Sequence, residues 1–125
     1  MIIDTDVIIW YLRGNEKAKE LLYKNIPFKM SVITYMEIVQ GMKDKKELLV
    51  FQKHIRKWDV EIVQIYTEIS SRAMFFVEDY FLSHSMELSD AIIAATGIQT
   101  KDVIITANDK HYKFIPNIQL EKFKP

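Results

Sequence analysis

The chain contains no cysteine among its 125 residues. That removes disulfides and thiolate metal sites, and it is compatible with a reducing, cytoplasmic setting. Glycine and proline are scarce, three of each, so no stretch reads as a flexible linker or a domain boundary. Charge of one sign is not in excess: Lys plus Arg equal Asp plus Glu at 17 each, for a formal net charge of zero. No bulk basic field is available to hold a nucleic acid, so any such site must be a local patch or act through metal ions. No apolar run is long enough to span a bilayer, and no basic segment with an apolar signal core opens the chain. A membrane partner is therefore not expected. There is no internal repeat and no low-complexity tract.

What is present is a large apolar fraction, 49%, enough for the core of one domain over residues 1–125. Met1–Ile3, "IPFKMS", "VEIVQI", "DVIIT" and "IQLEKF" read as short strands. Glu16–Lys24, Thr34–Met42, Asp44–Trp58, Tyr66–Met86 and Ser89–Gln99 carry apolar residues at helical spacing. Val7–Leu12 either continues the first strand or begins a helix, and Gly14-Asn15 closes it. Strands alternating with helices predict an α/β domain around a mainly parallel sheet. Such sheets place their functional groups beyond the carboxyl ends of the strands.

Acids fall at those ends. Asp4 follows the first strand, Glu37 sits early in the helix after "FKMS", Asp90 opens the "AIIAA" helix, and Asn108-Asp109 follow "VIIT". Each has a local explanation. Asp4 could cap a helix starting at Thr5 or Asp6. Thr34 and Glu37 have capping-box spacing. Asp90 suits a helix N-terminus, and Asn108-Asp109 suits a turn. Taken together, "IIDTDVII", "ITYMEIVQ" and "LSDAIIAA" have apolar flanks and no Lys or Arg beside the acid, as expected of a partly buried cluster. Carboxylates crowded in one cleft repel each other unless a cation compensates. Oxygen ligands without Cys or paired His select a hard divalent ion, Mg2+ or Mn2+. Such an ion suits phosphodiester hydrolysis.

The segments "IIDTDVIIWYLRGN", "SVITYMEIVQGM", "MELSDAIIAATGIQ" and "VIITANDKHYKFIPNIQL", in that order from end to end, resemble the blocks of PIN-domain ribonucleases. More narrowly, they resemble the VapC toxins of bacterial and archaeal toxin–antitoxin pairs. The resemblance implies an α/β/α sandwich around a parallel sheet and Mg2+-dependent endoribonuclease activity on RNA. It also implies a homodimer and a cognate antitoxin that wraps the toxin and inserts into its site. Asp4, Glu37 and Asp90 match the family's three acids. The fourth position falls on Asn108 within "TxNxxxY", and Asp109, one residue later, is the alternative carboxylate. Thr5 and Thr106 match supporting hydroxyls. Asp6 is an extra acid that joins the cluster or caps a helix.

Arg13 and Lys110 are candidates for contact with RNA phosphates. Most of the Lys-rich run 43–57 reads as a solvated helix face. Trp10 and Tyr11 fit packing better than base stacking, and His54, His84 and His111 read as surface histidines, with His111 close to the acidic turn. "MFFVEDYFL" (74–82) is apolar on more than one face, which suggests a dimer or antitoxin surface. Two rivals remain: a Mg2+-binding phosphoacceptor receiver domain, which wants an Asp closing a central strand, and a PIN-like fold that binds without catalysing.

Overall fold

The computed structural model describes residues 1–125. Five short strands, β1 (Ile2–Ile3), β2 (Lys29–Ser31), β3 (Glu61–Val63), β4 (Ile104–Thr106) and β5 (Leu120–Lys122), form one sheet in the order β3-β2-β1-β4-β5. All four pairings are parallel. Six helices surround it: α1 (Thr5–Leu12), α2 (Glu16–Lys24), α3 (Val32–Gln40), α4 (Lys45–Lys57), α5 (Thr67–Tyr80) and α6 (Leu88–Thr100).

Side chains alternate across each strand, so adjacent isoleucines enter different cores. Ile2 and Ile104 pack with Ile69, Ala73, Ala91 and Ala94 of α5 and α6. Ile3 and Ile105 pack with Val7, Leu22, Phe51 and Trp58 of α1, α2 and α4. The result is the expected three-layer α/β/α sandwich. In α6, small residues bring the helix close to the sheet: a Cβ on Gly97 would lie 2.6 Å from Ile104 Cδ1. The chain leaves α6 through Lys101 in the left-handed region (φ 58°) and turns directly into β4.

The order matters for function. The chain moves outward from β1 through β2 to β3, then crosses back to lay β4 on the other side of β1. Crossovers therefore diverge between β1 and β4, and the crevice at their carboxyl ends is where open α/β sheets bind ligands. The register pairs Ile2 with Ile104 and Ile3 with Ile105. Both strands end in step, with Asp4 and Thr106 side by side.

Local capping chemistry settles several boundaries. Asn15 and Asp44 accept from the backbone N–H groups of Ala18 and Glu47, each at 2.9 Å, and start α2 and α4. The ambiguous Val7–Leu12 segment is helix, launched by Asp4. Three expectations are corrected. Ser31, not Thr34, caps α3 by accepting from Ile33 N at 3.2 Å, so Thr34 and Glu37 are not a capping box and both lie within the helix. The long helix expected over 66–86 stops at Tyr80; the turn beyond it contains Ser85 at φ 51°, which no right-handed helix continues through. "VEIVQI" pairs only over Glu61–Val63, as an edge strand.

Candidate active site

The crevice between β1 and β4 is built around Asp4. Its backbone is extended (φ −72°, ψ 156°) and its Oδ1 accepts from Thr5 N at 2.7 Å, so it is the N-cap of α1. Asp4 therefore caps α1 and lines the crevice at once. Its side chain is buried. Oδ2 accepts from the hydroxyls of Thr106 and Tyr112, each at 2.9 Å. Tyr112 is itself fully buried.

Asp6, one residue into the first turn of α1, faces the same crevice. Its Oδ2 accepts from Ala107 N at 3.1 Å and lies 3.2 Å from Thr106 Oγ1. One hydroxyl hydrogen is therefore shared by two carboxylates. The Thr106 oxygen in turn accepts from Asn108 N at 3.0 Å. Asp6 Oδ1 is buried and makes no well-formed hydrogen bond, although the Val7 backbone N–H also supports this carboxylate.

Glu37 reaches the rim from mid-α3. Thr5 Oγ1 lies 3.0 Å from both Glu37 Oε1 and the buried Thr34 Oγ1. Thr5 therefore links the two acids, giving its backbone N–H to Asp4 and its hydroxyl to Glu37. Asp90 enters from the first turn of α6, where its carboxylate accepts from Glu87 N. Asp90 Oδ1 lies 3.4 Å from His111 Nδ1, and His111 Nε2 lies 3.0 Å from Asn108 Nδ2. Asp4, Asp6, Glu37 and Asp90 thus come from β1–α1, α3 and α6 and gather around the same strand ends.

Not every candidate joins them. Asp109 opens a short 3-10 turn and lies 3.6 Å from Lys122 Nζ on β5; contrary to the expectation of acids without basic partners, it has one. Lys110 is exposed beside it. Arg13 is exposed at the end of α1 with its guanidinium 6.0 Å from the Trp10 ring. It lines a groove of about 980 Å³ between α1, α3 and α4 that has Glu37 at its edge. Tyr11 packs edge-on against Trp58 and His54, and His84 stacks on Phe114.

The electrostatics follow from this geometry. Asp4 is pushed up to about 7 by burial and then by the neighbouring Asp6 charge, against the opposing hydrogen bonds of Thr106, Tyr112 and Thr5. Burial also raises Asp6, although the Ala107 and Thr106 hydrogen bonds and His111 oppose it. Asp90 is raised by burial, with His111 again opposing. The Tyr112 hydroxyl is raised by burial and by Asp4 and Asp90, so it stays a donor. No Lys or Arg opposes any of these rises. The crevice concentrates negative charge and lacks fixed positive charge.

A divalent cation fits the donor chemistry: all oxygen, mutually repelling, with one buried oxygen left over. The side chains are not drawn tight around a point, since no group of three or more His, Asp or Glu side chains is placed to hold an ion. Sequence reasoning missed Tyr112 as the second hydroxyl on Asp4. The available signal was its place closing "TxNxxxY", since a tyrosine that becomes buried needs a partner for its hydroxyl.

The family model described as the PIN domain matches residues 1–115. Among solved structures, a toxin–antitoxin complex from Klebsiella pneumoniae is similar at 27% identity and TM-score 0.74, covering 94% of this chain and 93% of that one. DNA-bound VapBC from Salmonella typhimurium is similar at TM-score 0.81 and 22% identity, over 97% and 96% of the two chains. FitAcB from Neisseria gonorrhoeae is similar at TM-score 0.72 and 22% identity, over 95% and 94%. At that identity these last two speak for the fold. No curated protein matches the chain.

Proposed function

This chain belongs to the PIN-domain family, and from that premise we propose that it is a Mg2+- or Mn2+-dependent endoribonuclease, the toxin of a VapBC-type toxin–antitoxin pair acting in the cytoplasm. What carries the reading is the buried carboxylate of Asp4 at the β1/β4 switch point, linked to Glu37 through Thr5 and with no Lys or Arg beside it. A receiver domain is disfavoured by the strand order, since flavodoxin-like sheets run 2-1-3-4-5 and this one runs β3-β2-β1-β4-β5.

Asp4, Asp90 and Glu37 are the residues to hold the cation. When bound, a divalent ion polarises a phosphoryl oxygen and lowers the pKa of an attacking water. The protein's own part is positioning. Thr106 and Tyr112 fix the Asp4 carboxylate from behind, and Thr5 couples it to Glu37. His111 sits against Asp90 and against Asn108, and that link makes Asn108 a better fourth group than Asp109, which Lys122 engages. Arg13 and Lys110, both exposed, are the candidates for contact with phosphates.

The similar solved structures from Klebsiella pneumoniae and Salmonella typhimurium are toxin–antitoxin complexes, which supports an antitoxin partner here. An apolar face supports pairing with a second copy. Met74, Phe75, Phe81, Leu82 and Leu88 are each more than half exposed, more apolar surface than a lone domain ordinarily leaves bare. The test is RNA cleavage by purified protein with Mg2+, with EDTA, and with Asp4→Asn. The reading expects cleavage only in the first case. Cleavage that survives EDTA would remove the metal from the account, and no cleavage of any RNA would leave a binding module.

A further inference from the structure

Tyr112 is packed as a phenylalanine would be, yet it carries a hydroxyl. Its ring is fully buried in the core with Ile2, Ile104 and Ile115. Its backbone is fixed on both sides: Tyr112 N donates to Asp109 O, and Ile115 N donates to Tyr112 O, each at 3.0 Å. A ring held by core packing sets its hydroxyl just as firmly, and that hydroxyl donates to Asp4 Oδ2 at 2.9 Å.

The receiving oxygen is already engaged. Thr106 also donates to Oδ2 at 2.9 Å, so two hydroxyls fill both of its lone pairs. Thr5 N takes one lone pair of Oδ1, and the other is what Asp4 has left to offer. Thr106 and Tyr112 are also the two ends of one segment. Within it, Asn108 N donates to Thr106 Oγ1 at 3.0 Å, and His111 Nδ1 lies 3.4 Å from Asp90 Oδ1. The turn that carries Asn108 and His111 is thus pinned at both ends to a single oxygen of Asp4. A buried tyrosine that needed only a partner would be satisfied by a backbone carbonyl. A second hydroxyl on an oxygen that Thr106 already holds does something more: it fixes the orientation of the carboxylate.

We propose that Tyr112 is a positioning residue that acts through Asp4: its hydroxyl commits Oδ2 to the protein and leaves Oδ1 as the oxygen with which Asp4 meets a cation. This rests on the cation site of the proposed function and deepens it, by naming the group that aims the most buried of its acids. The hydroxyl, and not the ring, is what the site requires at this position.

The test is calorimetric titration of Mn2+ into the metal-free protein, together with melting of the metal-free forms. Wild type is compared with Tyr112→Phe, which keeps the buried ring and removes only the hydroxyl, and with Asp4→Asn. The proposal expects Tyr112→Phe to weaken Mn2+ binding by about tenfold or more, while its metal-free melting temperature stays within about 5 °C of wild type. A tyrosine that serves the core alone lowers the melting temperature and leaves Mn2+ affinity where it was. Mn2+ binding by Tyr112→Phe at wild-type affinity, with Asp4→Asn defective, would therefore overturn the proposal alone. A Tyr112→Phe chain that fails to fold would show that the hydroxyl holds the core, which also contradicts it. A wild type that takes up no Mn2+, or an Asp4→Asn protein that takes it up normally, would overturn the proposed cation site and this inference together.

Discussion

Two edges of one sheet treat aspartate in opposite ways. At the amino-terminal edge, Asp102 lies 2.8 Å from Lys29 Nζ and 3.0 Å from the Met1 amino group. Burial alone would raise its carboxyl, but Lys29, Thr100 and the Met1 amine outweigh it and bring it down to about 2. At the carboxyl-terminal edge, Asp4 is pushed up to about 7 by burial and by Asp6. Asp4 is the more deeply buried of the two, and burial raises both carboxyls; only Asp102 has fixed cations beside it to bring it down. The fold supplies positive charge where an acid ties β1, β2 and the entry to β4 together, and withholds it where acids gather at the switch point. An acid balanced by its own protein is read as structural; under the proposed function, the unbalanced acids of the crevice are the ones that take up charge from outside.

The sharpest way to break this comparison is to neutralise one acid at each edge. Asp4→Asn should lower RNA cleavage by at least about 10³-fold, the equivalent of losing several kcal/mol of transition-state stabilisation. Its circular dichroism and melting should stay close to wild type. Asp102→Asn should do the reverse. It strands Lys29 and the Met1 amine, costing about 1–3 kcal/mol or roughly 5 °C in melting temperature, while cleavage by the folded enzyme holds within about twofold of wild type. Were Asp102→Asn to abolish cleavage in a protein that still folds, the division of labour would be wrong.

The two edges should also respond to pH in opposite windows. A carboxyl raised in the folded state favours folding below its unfolded pKa of about 4, and that contribution is lost as pH rises through about 7. Metal-free protein should therefore lose a few degrees of melting temperature between pH 5 and 8 (~1–3 kcal/mol), and Mg2+ should restore them at the upper end. Asp102, depressed in the folded state, contributes above about pH 4, and its contribution is lost as pH falls toward about 2. Asp102→Asn should blunt that acid limb and leave the neutral one untouched. The smallest effect belongs to the fourth position. Asp109→Asn should change cleavage by less than about threefold, and Asn108→Ala by about tenfold; the opposite order would return Asp109 to the site.

Much of this was legible in the residues. The alternation of apolar periods announced a parallel α/β sheet, and Asp4 at a strand end with Asp90 at a helix start announced where to look. Boundaries were less legible where a cap and a site compete for one residue. Asp4 caps α1 and also lines the crevice, so the cap does not argue against the site. Thr34 and Glu37 imitate a capping box only because Ser31, three residues before Thr34, already starts the helix. The tail of the expected 66–86 helix was hidden because "FFVEDYFL" is apolar enough to look helical throughout, while the turn after Tyr80 depends on backbone conformation at Ser85. The motif "TxNxxxY" marked Tyr112 but not its partner, and Lys122 carried no mark at all. Their partners, Asp4 and Asp109, are set by how the chain returns after β4, and spacing along the sequence does not encode that return.

The central claim is that the β1/β4 crevice holds a divalent cation which the protein itself does not replace. The most direct measurement is an anomalous difference map from a crystal grown with Mn2+. The account predicts a peak about 2.1 Å from carboxylate oxygens of Asp4 and Asp90, within reach of Glu37. A map with no peak there at millimolar Mn2+, or one whose only peak lies on Asp102 at the opposite edge, would contradict it.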